Sequence, residues 1–377
     1  MINLNSSNKK LTYEIRDSVD LINEHDHFTF VTRASWAIFA ALTINKTKKE
    51  QIIAMPSFIC QSTVAAAIKA GWKIHFLDID IVSGNVPSEN YINAVNSNQI
   101  DAILFVHLLG NFNPVKQLFE ICKQKSVFVI EDSAQICTER KEFERQDLAD
   151  IKLYSFGYSK PIDVGGGGIV CTNDKHFKDC LEDFHGSYKF KSQENLKEVS
   201  MLFRKTFFSI KNSLSNSTNK KEDFKNLLNI YMPLIDVNIK LDKKMLKSII
   251  HGIKYLSQTN ARRIDNLRHY QNYITNKKLS CLNSSNSIPW RVCYRIVGSN
   301  YEQQKYVSEF LRRKGFDVSN YYLPSHWYVD PSKHLDEKLK NTVKLSKEII
   351  QFWVDKDFNP SQFLKLKNNI NHIFNDE

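Results

Sequence analysis

No stretch of this chain approaches the roughly 20 consecutive apolar residues that a membrane-spanning helix needs. The opening Met1-Ile2-Asn3-Leu4-Asn5 has neither the charged nor the apolar region of a secretory signal. Seven cysteines, at 60, 122, 137, 171, 180, 281 and 293, include no C-x-x-C pair and lie mostly in apolar runs. That spacing argues against a disulfide frame or a metal site and reads as reduced, largely buried thiols in a cytoplasmic protein. Internal repeats, low-complexity linkers and tandem basic-aromatic patterns are also missing, so no nucleic acid partner is expected. Four glycines stand together at 165–168, yet the lysine-hydroxyl ending of a phosphate loop does not follow them.

What is present is a globular composition, 42% apolar and 25% charged, over 377 residues. That length allows two domains, or one large domain with an appendage. The formal net charge is +11. It suits an anionic partner (nucleic acid, a membrane surface or a small phosphorylated substrate), or it serves solubility alone. Nucleic acid is the weakest of these, for want of a motif.

Between about residues 28 and 175 short apolar runs alternate with helical patterns. The periodicity predicts strands over 51–55, 72–79, 102–109, 126–130, 152–156 and 168–172, and helices over 33–44, 59–70 and 114–123. Such alternation implies an α/β fold, a mainly parallel sheet sandwiched by helices. Residues 187–235 are basic and polar, and read as an insertion with two helical patches. The first carries an apolar stripe (Met201, Leu202, Phe203, Phe207, Phe208, Ile210) beside Arg204, Lys205 and Lys211. The stripe fits a membrane-surface helix, or packing on the parent protein or a dimer partner, and packing is the preferred reading. A long helical pattern over 240–276, broken near Gly252, precedes a strand (290–297), a helix (301–314), a strand (317–323) and a mostly helical tail (333–374). We expect a large domain over 1–250 and a smaller α+β domain over 251–377.

Two residues carry the chemistry. Lys160 follows a predicted strand and precedes the glycine run, and Asp132 ends the neighbouring apolar run Val129-Ile130-Glu131. Alone, Lys160 is a surface lysine and Asp132 part of a solvated acidic pair. Ligands of parallel sheets bind at the carboxyl ends of the strands, which puts both residues on one rim. A lysine and an aspartate there suit pyridoxal 5'-phosphate (PLP): the amine forms a Schiff base with the aldehyde, and the carboxylate holds the pyridine nitrogen protonated. Beside that cationic ring the carboxyl is expected to have a depressed pKa. Gln135 can donate to the ring's phenolic oxygen. Ser35 opens a predicted helix, either as a plain N-cap or, with Ala34, as a phosphate site.

Several motifs share an order. They include Met55-Pro56-Ser57-Phe58-Ile59-Cys60, Val106-His107-Leu108-Leu109-Gly110 and Glu131-Asp132-Ser133-Ala134-Gln135. Ser155-Phe156 with Lys160, Ala261-Arg262-Arg263 with Tyr270, and Tyr321-Tyr322-Leu323-Pro324-Ser325-His326 complete the set. In this order the chain resembles the PLP-dependent nucleotide-sugar aminotransferases, the DegT–StrS group of aspartate-aminotransferase-like fold type I. The resemblance implies Lys160 as the Schiff-base lysine, Asp132 on the pyridinium, Gln135 on the cofactor hydroxyl, and Ala34, Ser35 and Ser155 on the phosphate. It implies that Asn238 reaches the phosphate of a partner subunit, hence a homodimer with shared active sites. The resemblance also implies a seven-stranded-type sheet in the large domain and places Tyr321 and His326 on the substrate side. Two departures, Lys240 and Arg33 (an extra cation near the phosphate or a substrate anion), are expected there too. Cys60 stands where many members stack an aromatic ring on the cofactor, and Asn238-Ile239-Lys240 replaces Asn-Tyr-Arg. The activity implied is transfer of an amino group, usually from glutamate, to a nucleotide-linked keto-sugar in surface polysaccharide or amino-sugar biosynthesis. The alternatives are a PLP-dependent sugar dehydratase, whose family typically carries histidine at the lysine position, and a non-catalytic regulatory or membrane-associated protein.

Overall fold

A computed structural model of the protein describes residues 25–97, 99–113, 115–137, 149–192, 194–214, 223–239, 241–355 and 360–375. Seven strands form one sheet: β1 (His27–Val31), β2 (Ile52–Pro56), β3 (Lys73–Leu77), β4 (Ala102–Val106), β5 (Phe128–Asp132), β6 (Ile151–Ser155) and β7 (Gly168–Thr172). Their spatial order is β1-β7-β6-β5-β4-β2-β3. All pairings from β6 to β3 are parallel, and β7 runs antiparallel to both β6 and β1. Between β5 and β2, β4 reads Ala-Ile-Leu-Phe-Val and is buried at every position, as a strand covered on both faces must be. Each such large apolar side chain contributes roughly 1.5–3 kcal/mol on burial. The covering helices include α1 (Ala34–Ile44), α2 (Gln61–Lys69), α3 (Ser88–Asn96), α4 (Lys116–Gln124) and α5 (Lys175–Ser187).

The insertion folds as α6 (Glu194–Ser213) and α7 (Asp223–Tyr231), followed by α8 (Lys243–Lys254) and α9 (Leu256–Tyr273). The break in the long helical pattern falls at Tyr255, not at Gly252. Gly252 stays inside α8, where a Cβ would lie 2.7 Å from Ile162 Cγ2. Its missing side chain serves close packing on the loop that carries Lys160. A second, antiparallel sheet has the order β10-β11-β9-β8, from β8 (Leu279–Cys281), β9 (Val292–Ile296), β10 (Val318–Ser319) and β11 (Ile349–Phe352). Helices α10 (Tyr301–Arg313), α11 (Lys333–Lys338), α12 (Lys340–Glu348) and α13 (Pro360–Asn375) complete this part of the chain. The expected strand over 317–323 is only two residues long. In exchange, β11 interrupts the tail that reads as helical in sequence. Its polar Gln351 is fully buried, accepting from Ser319 Oγ at 2.9 Å and donating to the Tyr321 carbonyl at 2.8 Å.

The apolar stripe of α6 divides. Phe203, Phe207 and Ile210 are buried, with Phe207 stacked on Tyr321 at 5.5 Å, whereas Met201, Leu202 and Phe208 face outward. Lys211 anchors the helix, donating to the Asn320 carbonyl at 2.6 Å and to its side-chain oxygen at 2.8 Å. Burial, with help from Arg312, lowers the Lys211 pKa from 10.5 to about 7. Between those values the unfolded chain binds more protons than the folded one, so stability rises with pH across that window. Thermal unfolding followed from pH 7 to pH 9 should show the midpoint climbing, with a flatter slope in Lys211→Met. An identical slope in the variant would remove Lys211 from the account.

Candidate active site

Asp132 is the last residue of β5, and Lys160 lies five residues beyond β6, the parallel neighbour of β5. Both line one cavity of about 270 Å³ at the carboxyl end of the parallel strands. Arg33, Ala34, Ser35, Cys60, Gln135 and Ser155 line it too. Eight of the twelve sequence-predicted site residues therefore meet, although they come from four separate stretches of chain (33–35, 60, 132–135 and 155–160).

The Lys160 loop is tied down on both sides. Asp163 accepts from the Ser159 N–H at 2.7 Å and from the Gly165 N–H at 2.9 Å. Trp290 donates its indole N–H to the Ser159 carbonyl, and its ring lies 5.7 Å from Lys160 Nζ. Gly168 lets backbone pass close behind, since a Cβ there would fall 2.7 Å from the Tyr154 carbonyl oxygen and 3.3 Å from the Ala34 nitrogen.

Burial pushes the Asp132 carboxyl above its ordinary pKa, while Lys160, the Ala134 N–H at 2.9 Å and His107 pull it back. The expected depressed value belongs to a carboxylate paired with a ring cation; among the protein's own groups desolvation wins. Behind Asp132, His107 Nε2 meets buried Glu131 at 3.0 Å, and Lys152 lies 3.7 Å from the same carboxylate oxygen across the β5–β6 register. Gln135 is fixed at both ends of its amide. Its oxygen accepts from the Leu109 N–H at 2.7 Å, and its nitrogen donates to the Tyr322 hydroxyl at 3.0 Å, leaving one N–H for a ligand.

The start of α1 faces this cavity through Ala34 and Ser35 with no side-chain cap from Arg33 and no acid in its first turn. Those uncapped N–H groups, the helix dipole, Ser155 and the Arg33 cation form an anion site. With Asp132 for a ring cation, Gln135 for a ring hydroxyl and Lys160 for an aldehyde, the donor set fits PLP.

Other expected residues lie elsewhere. His326 was expected on the substrate side, but its ring is fully buried outside the cavity. Ser57 Oγ holds Nδ1 at 2.8 Å and Asp336 holds Nε2 at 2.9 Å, so it ties the turn at 325–328 to the segment after β2 and to α11, with both ring nitrogens occupied. Tyr321 packs on α6 away from the cavity lining, and its neighbour Tyr322 is the one that reaches Gln135. Asn238 does not line the cavity of its own chain, although the adjacent Ile239 does. Lys240 falls outside the described residues. Sequence reasoning assigned no role to His107, Trp290, Tyr322 or Tyr231. Of these, His107 and Tyr322 sat inside quoted motifs, whereas Trp290 opens the predicted strand 290–297 and Tyr231 lies in a helical patch of the insertion, and neither belongs to a motif.

A parallel sheet whose rim presents a lysine and an aspartate to one cavity, with an open helix start for a phosphate, defines the architecture of a PLP-dependent enzyme of fold type I. The chain belongs to the DegT/DnrJ/EryC1/StrS aminotransferase family, whose model matches residues 17–369. A GDP-perosamine synthase of Escherichia coli O157:H7 is 29% identical over 165 residues, 44% of this chain and 45% of that protein. The chain thus matches less than half the length of such curated relatives. Among solved structures, 3-amino-5-hydroxybenzoic acid synthase superposes with a TM-score of 0.74 at 15% identity, covering 98% of this chain and 91% of that one. An E. coli GDP-4-keto-6-deoxy-D-mannose-3-dehydratase with bound hydrated PLP gives a TM-score of 0.65 at 17% identity, covering 94% and 91%. The cofactor that goes with the family and fold is pyridoxal 5'-phosphate. None of the described helices is long and apolar enough to cross a membrane.

Proposed function

We propose that the protein is an aminotransferase that moves an amino group, from glutamate, to a keto-sugar carried on a nucleotide diphosphate, in amino-sugar or surface polysaccharide biosynthesis. The observation that carries this reading is the convergence of Lys160 and Asp132 on one cavity rim. Bound PLP supplies an aldehyde carbon for the amine and an electron-poor ring. Asp132 keeps that ring positively charged, which its own burial makes costly unless the cation is present. The uncapped α1 start, Ser35 and Ser155 hold the phosphate, and the second Gln135 N–H orients the ring hydroxyl. Lys160 Nζ, held at the rim by its loop, takes the proton from the donor's Cα and returns one to the sugar carbon that receives nitrogen. Arg33 and the wider excess of +11 draw an anionic substrate to the mouth.

A GDP-sugar enzyme among the relatives supports the substrate class. A dehydratase among them prompts the competing reading, and Lys160 opposes it, since by the resemblance dehydratases carry histidine there. The same reading takes the protein as a cytoplasmic homodimer, with Asn238 serving the partner's phosphate and a division into domains near residue 250. The decisive experiment is a half-reaction with glutamate, followed by a panel of keto-sugar nucleotides, read as loss and return of the cofactor's visible band. A band indifferent to every amino acid donor would end the aminotransferase reading.

A further inference from the structure

A thiol at position 60 covers far less of a ligand's surface than the aromatic ring that the resemblance places there. Cys60 lines the cavity from the residue before α2, with Ser62 Oγ 3.1 Å from its sulfur. The same edge of the cavity carries Tyr231, the last residue of α7. Ser62 stands beside the Tyr231 hydroxyl, and Cys60 and Arg33 lie within electrostatic reach of it. The tyrosine ring is held in place from behind. Phe203 of α6 meets it edge-on at 5.0 Å, and α7 is fastened to the core through buried Phe224, Leu227 and Leu228. Phe224 in turn packs against Trp327 and Tyr328. A ring immobilised in this way meets a ligand without further ordering cost.

We propose that Tyr231 is a cofactor-binding residue, supplied by the insertion, whose ring closes the side of the cavity that Cys60 leaves uncovered. The inference rests on the reading that this cavity holds PLP, and it gives the α6–α7 insertion a task in the site. An aromatic contact with a ring ligand is worth up to about tenfold in affinity beyond area burial.

The test is titration of the PLP-free protein with PLP, followed by visible absorbance and by tryptophan fluorescence. Tyr231→Ala should weaken PLP binding by about tenfold. Tyr231→Leu keeps apolar volume at the end of α7, guards against unfolding, and should weaken binding similarly. Tyr231→Phe should restore most of the affinity, and so should Cys60→Tyr placed in the Tyr231→Ala background. Wild-type PLP affinity in folded Tyr231→Ala and Tyr231→Leu proteins would overturn the proposal. So would a Tyr231→Phe protein as weak as Tyr231→Ala, because the hydroxyl would then carry the effect. Failure of the unsubstituted chain to take up PLP would sink the cofactor reading together with the proposal, and shows before any substitution is made.

Discussion

Lys160→Ala should abolish turnover and the cofactor's visible band while leaving the fold intact. The amine lines the same cavity as Asp132, and positioned acid–base groups contribute roughly 10²–10⁴ in rate. Loss of the covalent link to the cofactor adds to that deficit. The fold should survive because the loop is held by other atoms: the two Asp163 acceptor contacts and the Trp290 indole N–H bond to Ser159. Lys160 itself is only partly buried. Circular dichroism and the unfolding midpoint should therefore match the wild type closely. Lys160→Arg should be as inactive as the alanine variant, since a guanidinium does not give up its proton. Wild-type turnover in either variant would remove Lys160 from the chemistry.

How much of this site can be read from sequence depends on whether a residue's partner is near it in the chain. Lys160, Asp132, Gln135, Ala34, Ser35 and Ser155 occupy strand ends, a helix start or the turns just beyond them, and strand and helix patterns locate such positions well. The sheet rule then supplies the rim. Gln135 shows the limit: its sequence context suggests a donor, but not that Leu109 and Tyr322 would fix the amide in place. His326 shows the opposite failure. A histidine near a family-like motif reads as functional, yet Ser57, 269 residues away, and Asp336 satisfy both its nitrogens in the core. The buried Gln351 hid β11 for a similar reason, because its hydrogen-bond partners come from β10 and the segment after it. The insertion was visible as a change of texture. Its inward and outward faces were not, since Phe203 and Phe208 look alike until α7 and the 320–322 segment are in place.

Asp132→Asn should move stability and function in opposite directions. The substitution keeps shape and an acceptor for the Ala134 N–H, 2.9 Å away in the native chain. It removes a charge that burial disfavours, as the raised pKa of the carboxyl shows. A carboxyl whose folded pKa lies above its unfolded value gives up stability as pH rises from the unfolded value toward the folded one. Above that window the PLP-free wild type carries the full penalty and the asparagine variant carries none. The unfolding midpoint of the PLP-free variant at neutral pH should therefore equal or exceed that of the wild type. Cofactor binding and turnover should fall, because an amide cannot hold a pyridinium proton as a carboxylate does. A hydrogen bond to a charged group is worth about 1.5–3 kcal/mol, or roughly ten- to 150-fold. Stability sacrificed at one position for function is the expected signature of an active-site charge, whereas a structural carboxylate would lose stability on the same change. A variant that is both less stable without PLP and unimpaired with it would place Asp132 in the scaffold, and the cavity would then need another counter-charge for its ligand.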